Sequence, residues 1–194
     1  MYVLTGSSSV GKTSIISELE KQGEPVIHEA ATDWIANRIR MGVHEFWKEE
    51  CLGYRILQLQ LEREKPFLSC GGRVFIDRGI FDNYAYAMHY SLAGSKTLSS
   101  INAALEGIDL NERYAAIFFV LPYNDFDFSP TQTEIRRDSQ KEVGELQAAL
   151  YAIYCRHKNF IIVPGNLSPK KRSALILEYV NKFEKQALRS STKE

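Results

Sequence analysis

Residues 6–13 read Gly-Ser-Ser-Ser-Val-Gly-Lys-Thr, a match to the spacing G-x-x-x-x-G-K-[ST]. No other feature of the 194-residue chain constrains its fold as tightly. The motif works in one setting: a buried strand delivers the chain to a loop, and a helix opens at the loop's end. Here Val3-Leu4-Thr5 precedes it and Ser14-Ile15-Ile16-Ser17-Glu18-Leu19 follows it. Average glycine and lysine usage produces the string about once in 150 chains of this length, and the flanks make coincidence rarer still. The bland alternative is a Gly/Ser turn with an exposed lysine. In a phosphate-binding loop, successive backbone N–H groups and the helix N-terminus form an anion site. Gly6 and Gly11 allow torsions and a close approach that a side chain would obstruct. Lys12 brings positive charge to the β- and γ-phosphates, and the Thr13 hydroxyl can ligate Mg²⁺. Gly6, Ser7, Ser8, Ser9, Val10, Gly11, Lys12, Thr13 and Ser14 are therefore the expected nucleotide-binding residues.

Four apolar runs read as buried strands: residues 2–5, 74–77, 115–121 and 160–163, with a shorter one at 25–28. They are continuous rather than alternating, as in parallel strands covered on both faces. Helical patterns lie between them, over 13–22, 32–41, 45–68 and 81–90, with a looser region at 98–110. Over 133–157, Ile135, Val143, Leu146, Leu150 and Ile153 form an apolar stripe. Ser168 and Pro169 open a last helix as N-cap and first-turn residue. The pattern is α/β with a mainly parallel sheet. Length and the absence of repeats or linkers favour one domain over 1–186, followed by a polar tail at 187–194.

Phosphoryl transfer needs more than a phosphate cradle: a carboxylate near the metal, a group orienting the nucleophile, and further positive charge. Asp77 ends an apolar strand, the placement of a metal-proximal carboxylate, with Arg78 and Gly79 directly after it. Its plainer reading is a helix N-cap. Glu29 follows the second strand, at the carboxyl end where open α/β sheets bind ligands, and is a candidate general base or holder of a substrate hydroxyl. Asp33 shares a helix face with Glu29 if that helix starts early. Arg136 and Arg137 follow an irregular stretch long enough for a lid over about 122–142. Two arginines at a helix start oppose its dipole, which an anion would compensate. They pair equally well with Glu134 and Asp138 on a solvated face.

Lys plus Arg and Asp plus Glu number 24 each, a formal net charge of zero, which argues against a general nucleic-acid or membrane-surface binder. Cys51, Cys70 and Cys155 are odd in number and form no CxxC pair, consistent with reduced thiols in the cytoplasm. The start MYVLTG lacks the pattern of a signal peptide, and no run of 18 apolar residues would span a membrane. His28, His44, His89 and His157 are scattered, without metal-ligand spacing. Asn181-Lys182-Phe183-Glu184 ends in Glu inside a helix and is no guanine reader, so ATP is favoured over GTP. Lys170, Lys171 and Arg172 open the last helix against its dipole and read as solvated, contact with an anion being the lesser alternative. Trp34, Phe81, Tyr84 and Tyr86 read as core before base-stacking residues.

GSSSVGKTS, HEAATDW, IDRGIFDNYAYA and EIRRD stand in the order found in small P-loop ATPase domains of the AAA type. The chain resembles the branch similar to the ribosylnicotinamide kinase domain, and more distantly thymidylate and deoxynucleoside kinases, over about residues 2–180. The resemblance implies a three-layer fold with a five-stranded sheet of order 2-3-1-4-5 and helices on both faces. It places Asp77 beside Lys12 and Thr13, Glu29 and Arg78 on the acceptor side, Arg136 and Arg137 in a lid, and Pro164-Gly165-Asn166 near the base. With the motif it implies Mg-ATP as cofactor, GTP being the alternative, and phosphoryl transfer to a nucleoside, nucleotide or similar hydroxyl acceptor. The catalytic set is then Lys12, Asp77, Glu29, Arg136 and Arg137. Substrate contacts fall to Glu29, Asp33 and Arg78, and metal contacts to Thr13 and Asp77. A competing expectation is a regulatory NTPase acting through a protein partner.

Overall fold

The computed structural model describes residues 1–70, 72–90, 95–122 and 139–191. Its elements in chain order are β1 (Tyr2–Thr5), α1 (Lys12–Lys21), β2 (Val26–Ile27), α2 (Ala30–Arg40), a 3-10 turn (Phe46–Lys48), α3 (Leu52–Cys70), β3 (Phe75–Asp77), α4 (Ile80–His89), α5 (Lys96–Leu105), α6 (Leu110–Arg113), β4 (Ala116–Val120), α7 (Gln140–Tyr154), β5 (Phe160–Val163) and α8 (Pro169–Ser191). The strands form one parallel sheet of order β2-β3-β1-β4-β5.

Both faces of the central strands are buried, which is why their sequences are apolar without alternation. Alternate residues feed two separate cores. Val3, Ile76, Ile117 and Phe119 pack with Leu57, Ile80, Leu146 and Leu150 of α3, α4 and α7. Tyr2, Leu4, Phe75, Phe118 and Val120 pack with Ile15, Ile16 and Leu19 of α1 and Ile176 and Val180 of α8. The sheet is thus the middle layer of three. The register pairs Leu4 with Asp77 and Thr5 with Phe119, so the carboxyl ends of β1, β3 and β4 open onto the same edge.

Three helical expectations change. The pattern over 45–68 is interrupted: Cys51 has φ +62°, which a right-handed helix cannot contain, so a 3-10 turn precedes α3. The region 98–110 divides into α5 and α6. The last helix continues to Ser191, into the segment expected as tail. In the stretch predicted helical over 133–157, residues 133–138 lie outside the described ones. The helix seen starts at Gln140, where the Ser139 hydroxyl accepts from Glu142 N at 3.3 Å and the Glu142 carboxylate accepts from Ser139 N at 2.7 Å. Among the described residues no helix is long and apolar enough to cross a membrane.

Candidate functional site

The chain leaves β1 at Thr5 and enters the loop of residues 6–11 before α1 begins at Lys12. Gly6 has φ +137°, and a Cβ there would sit 2.7 Å from the Val120 carbonyl oxygen, so only glycine fits against the end of β4. The loop is anchored from outside as well. Ser7 N donates to Gln147 Oε1 at 2.6 Å, and Gln147 Nε2 donates to Val120 O at 3.1 Å. Lys12 Nζ folds back and donates to Gly6 O at 2.9 Å and Ser7 O at 2.7 Å. Burial, with the Arg78 charge adding to it, pushes the Lys12 ammonium down to about 7.

Thr13 Oγ1 donates to Asp77 Oδ2 at 3.1 Å. Pairing of β1 with β3 delivers Asp77 here, 64 residues away in sequence. The other carboxylate oxygen, Asp77 Oδ1, is buried and has no hydrogen-bond partner among the described residues. Such an orphan is costly unless a ligand satisfies it. A hydroxyl beside a carboxylate with a spare oxygen is a donor set that fits a hard divalent cation. Burial raises the Asp77 carboxyl, and the Lys12 charge opposes that rise. Among the described residues no cluster of three His, Cys, Asp or Glu side chains could hold a metal by itself.

Arg78 follows Asp77 with φ +72°, a left-handed turn uncommon for a residue with a side chain. The turn carries its guanidinium back across the loop, where Nη1 donates to Gly6 O at 3.0 Å. Nε donates to Glu29 Oε1 at 2.5 Å, and Nη1 also reaches Asp82 Oδ1 at 3.3 Å. Burial alone would raise the Glu29 carboxyl. The Arg78 and Lys12 charges and the Thr32 hydroxyl overcome it and hold the group near 2. Asp82 is 1% exposed and saturated: it accepts from Thr5 Oγ1 at 3.0 Å, Gly79 N at 3.1 Å and Tyr154 OH at 2.6 Å. Gln60 Nε2 donates to the Arg78 carbonyl at 3.2 Å, so the turn is held from its main chain too.

Beyond Glu29 and Arg78 opens a cavity of about 710 Å³ between α2, the 3-10 turn, α3 and α4. Trp47 and Tyr86 line it, and Ser8 joins it to the loop. The Tyr86 ring lies under the Arg78 guanidinium, 4.9 Å from its carbon, and the Tyr86 hydroxyl is 3.3 Å from Ser8 Oγ. This volume lies in the range of small-molecule sites.

The structure brings Lys12, Thr13, Asp77, Glu29 and Arg78 together at one end of the sheet. Asp33 does not line the cavity; its carboxylate pairs with Arg63 at 2.8 Å and is half exposed. Arg136 and Arg137 lie outside the described residues. Of the aromatic residues read as core, Tyr86 reaches the cavity, whereas Phe81 packs edge-on against Tyr154 and Trp34 lies under Arg38. Asp82, Gln147 and Arg172 belong to the site's surroundings and were not singled out as its residues. An acid in the first turn of α4 was a visible signal for Asp82. Gln147 carries none, being one polar residue on a helix.

A phosphate-binding loop between the central strand and the first helix of a 2-3-1-4-5 parallel sheet defines the P-loop nucleotide-binding fold. Within that class the chain belongs to the AAA domain family, which matches residues 1–170. Similar solved structures include deoxyadenosine kinase from M. mycoides with bound dATP. It has a TM-score of 0.66 and 14% identity over 93% of this chain and 98% of that one. The same enzyme with the products dCMP and a flexible dCDP bound has a TM-score of 0.64 and 13% identity, with the same coverage. NadR protein in complex with NR has a TM-score of 0.62 and 16% identity, and the match covers 94% of this chain but 50% of that one. At such identities the likeness is one of fold. No curated protein matches the chain.

Proposed function

We propose that this protein is a small-molecule kinase that moves the γ-phosphoryl group of a nucleoside triphosphate to a hydroxyl of an acceptor held in the cavity. The observation that carries this reading is the junction of two sites. The Glu29–Arg78 pair lies between the phosphate loop and the cavity, with Arg78 contacting both the loop carbonyl of Gly6 and the Glu29 carboxylate. A hydrolase acting through a partner has no need of a deep pocket beside the loop. Nucleoside-type acceptors are favoured by the similar structures, among them a deoxyadenosine kinase.

The loop amides and Lys12 would hold the triphosphate, Lys12 exchanging the Gly6 and Ser7 carbonyls for phosphate oxygens. Thr13 and Asp77 would hold Mg²⁺, which would offset the negative charge of the phosphates. The acceptor hydroxyl oxygen bonds to the γ-phosphorus as the bond from that phosphorus to the β–γ bridging oxygen breaks, leaving a nucleoside diphosphate. A carboxylate held near 2 is a weak proton acceptor. Glu29 therefore works first by accepting the hydroxyl's hydrogen bond and aiming its oxygen. In the loose transition state of phosphoryl transfer the proton leaves late, through Glu29 to solvent.

The cavity's charges narrow the acceptor. Among the described residues lining it, the cations are Arg78 and Lys48. Arg78 is committed to Glu29 and Asp82, and Lys48 pairs with Glu45 at 2.6 Å. Glu49 and Glu50 line it too, Glu49 paired with Arg38 and Glu50 with Lys96 at 3.4 Å. Every lysine and arginine among the described lining residues thus has a carboxylate partner, and this favours an acceptor without a phosphate of its own. A transfer screen with γ-labelled ATP and Mg²⁺ against nucleosides, their monophosphates and sugars tests this. Label in a nucleoside supports the reading, and label only in monophosphates reverses the charge argument. Free phosphate alone, stimulated by a protein partner, would establish the regulatory NTPase instead.

A further inference from the structure

Arg172 lies in the first turn of α8, where a cation opposes the helix dipole, yet its side chain is buried, with 1% of the residue exposed. Burying a guanidinium is expensive, so its contacts must repay a desolvation cost that a surface lysine would avoid. The adjacent Lys170 and Lys171 are exposed, as the sequence suggests for all three. Arg172 departs from them because it reaches inward to two main-chain carbonyls. Nη1 donates to Val10 O at 2.8 Å, and Nη2 donates to Gly165 O. Nη1 would also lie 3.3 Å from a Cβ built on Gly11, so the guanidinium rests directly on the phosphate loop.

We infer that Arg172 is a positioning residue of the nucleotide site: it orients the Val10–Gly11 peptide so that the Gly11 N–H faces the phosphate cradle. It also ties the β5–α8 loop to residues 10–11. The reason is peptide geometry. The bond is trans, and a trans peptide points its C=O and N–H in opposite directions. Drawing the Val10 carbonyl out toward α8 turns the Gly11 amide inward. Gly11 has φ +91°, a conformation with freedom to rotate this peptide the other way unless something holds the carbonyl. The second donor holds Gly165, one of the residues between β5 and α8, so both segments share one planar fork. The preorganised amide is ready for an anion without reorganising when the nucleotide arrives. This inference rests on residues 6–13 being the nucleotide site.

The test measures dissociation constants for ATP and ADP with Mg²⁺ by calorimetry, with no acceptor present, for the intact protein and for Arg172→Met, Arg172→Ala and Arg172→Lys. The expected result is at least a tenfold weakening in R172M and R172A and a smaller one in R172K, which keeps the charge but not the fork. Millimolar guanidinium should restore part of the affinity of R172A and none of that of R172M, whose side chain fills the space. A residue that only stabilises the fold would show no such rescue at a concentration that leaves the melting temperature unchanged. ATP affinity within twofold of wild type in R172M overturns the inference, as does an R172A defect that guanidinium leaves untouched. If R172A and R172M do not fold, R172K carries the test, and wild-type ATP affinity in that variant overturns it. Failure of the unaltered protein to bind ATP overturns the nucleotide-site reading itself, and this inference with it.

Discussion

Glu29 and Arg78, 49 residues apart in sequence, meet at 2.5 Å where the phosphate loop opens into the cavity. Parallel pairing of β2 with β3 makes this possible, since it sets the carboxyl ends of the two strands side by side. One partner stands just past β2 and the other just past β3. The left-handed turn at Arg78 then aims the guanidinium back toward Glu29.

Glu29→Gln is expected to bind ATP as wild type does while transferring phosphoryl about 10- to 10²-fold more slowly, since the neutral amide loses a charge-assisted hydrogen bond worth about 1.5–3 kcal/mol. Calorimetry and single-turnover transfer, measured on one preparation, separate the two effects. A fully active variant would remove Glu29 from the acceptor site.

Lys12 is expected to take up a proton when nucleotide binds above neutrality. Its folded value is about 7 against an ordinary 10.5, so between those values the unfolded chain holds a proton that the nucleotide-free fold lacks. This group alone therefore makes the nucleotide-free protein more stable as pH rises through that window. Phosphate beside Lys12 restores the charged form. Calorimetry at about pH 8 in buffers of different ionisation enthalpy should show uptake approaching about one proton, lost in Lys12→Met. Equal uptake in that variant would place the proton elsewhere.

Asp82→Ala removes the acceptor shared by Arg78, Tyr154, Thr5 and the Gly79 amide. Breaking one side of a buried pair leaves the partner uncompensated, and the cost is about 3–5 kcal/mol. Denaturant unfolding at constant m-value reads it directly, and a loss under about 1 kcal/mol would show that Arg78 finds another partner.

Gly6→Ala should lose nucleotide binding and stability together. The new methyl would meet the Val120 carbonyl at 2.7 Å in a conformation that L residues rarely adopt. Strain of this kind costs about 1–3 kcal/mol before the contact itself is relieved. Thermal unfolding with and without ADP checks both, and unaltered ADP affinity would show that the loop tolerates a shifted first residue.

Several features were legible in the sequence because short-range chemistry determines them. The string at residues 6–13 specifies a strand, a tight loop and a helix start, and all three are present. Apolar runs without alternation meant strands covered on both faces, and the two cores supply the covers. Asp77 at a strand end was readable as a candidate site carboxylate, and the fold brings it to the Thr13 hydroxyl, with its other oxygen buried and without a hydrogen-bond partner among the described residues.

Other features depended on contacts that a linear pattern does not carry. The break at Cys51 divides a continuous helical periodicity, because one positive φ outweighs the spacing around it. Asp33 satisfies the same spacing rule as a site residue, but Arg63 from α3 claims it. Arg172 stands in a basic run indistinguishable from a solvated helix start, and only the fold brings two carbonyls within its reach. The sequence by itself determined the phosphate loop, the α/β layering and the identity of the strand-end carboxylates, all of which follow from local torsions and periodicity. Tertiary structure alone decided which charges meet: the Glu29–Arg78–Asp82 cluster, the cavity beside it and the buried Arg172. A charge's partner is set by distance through space, and strand order converts separations of 49 and 162 residues into hydrogen bonds.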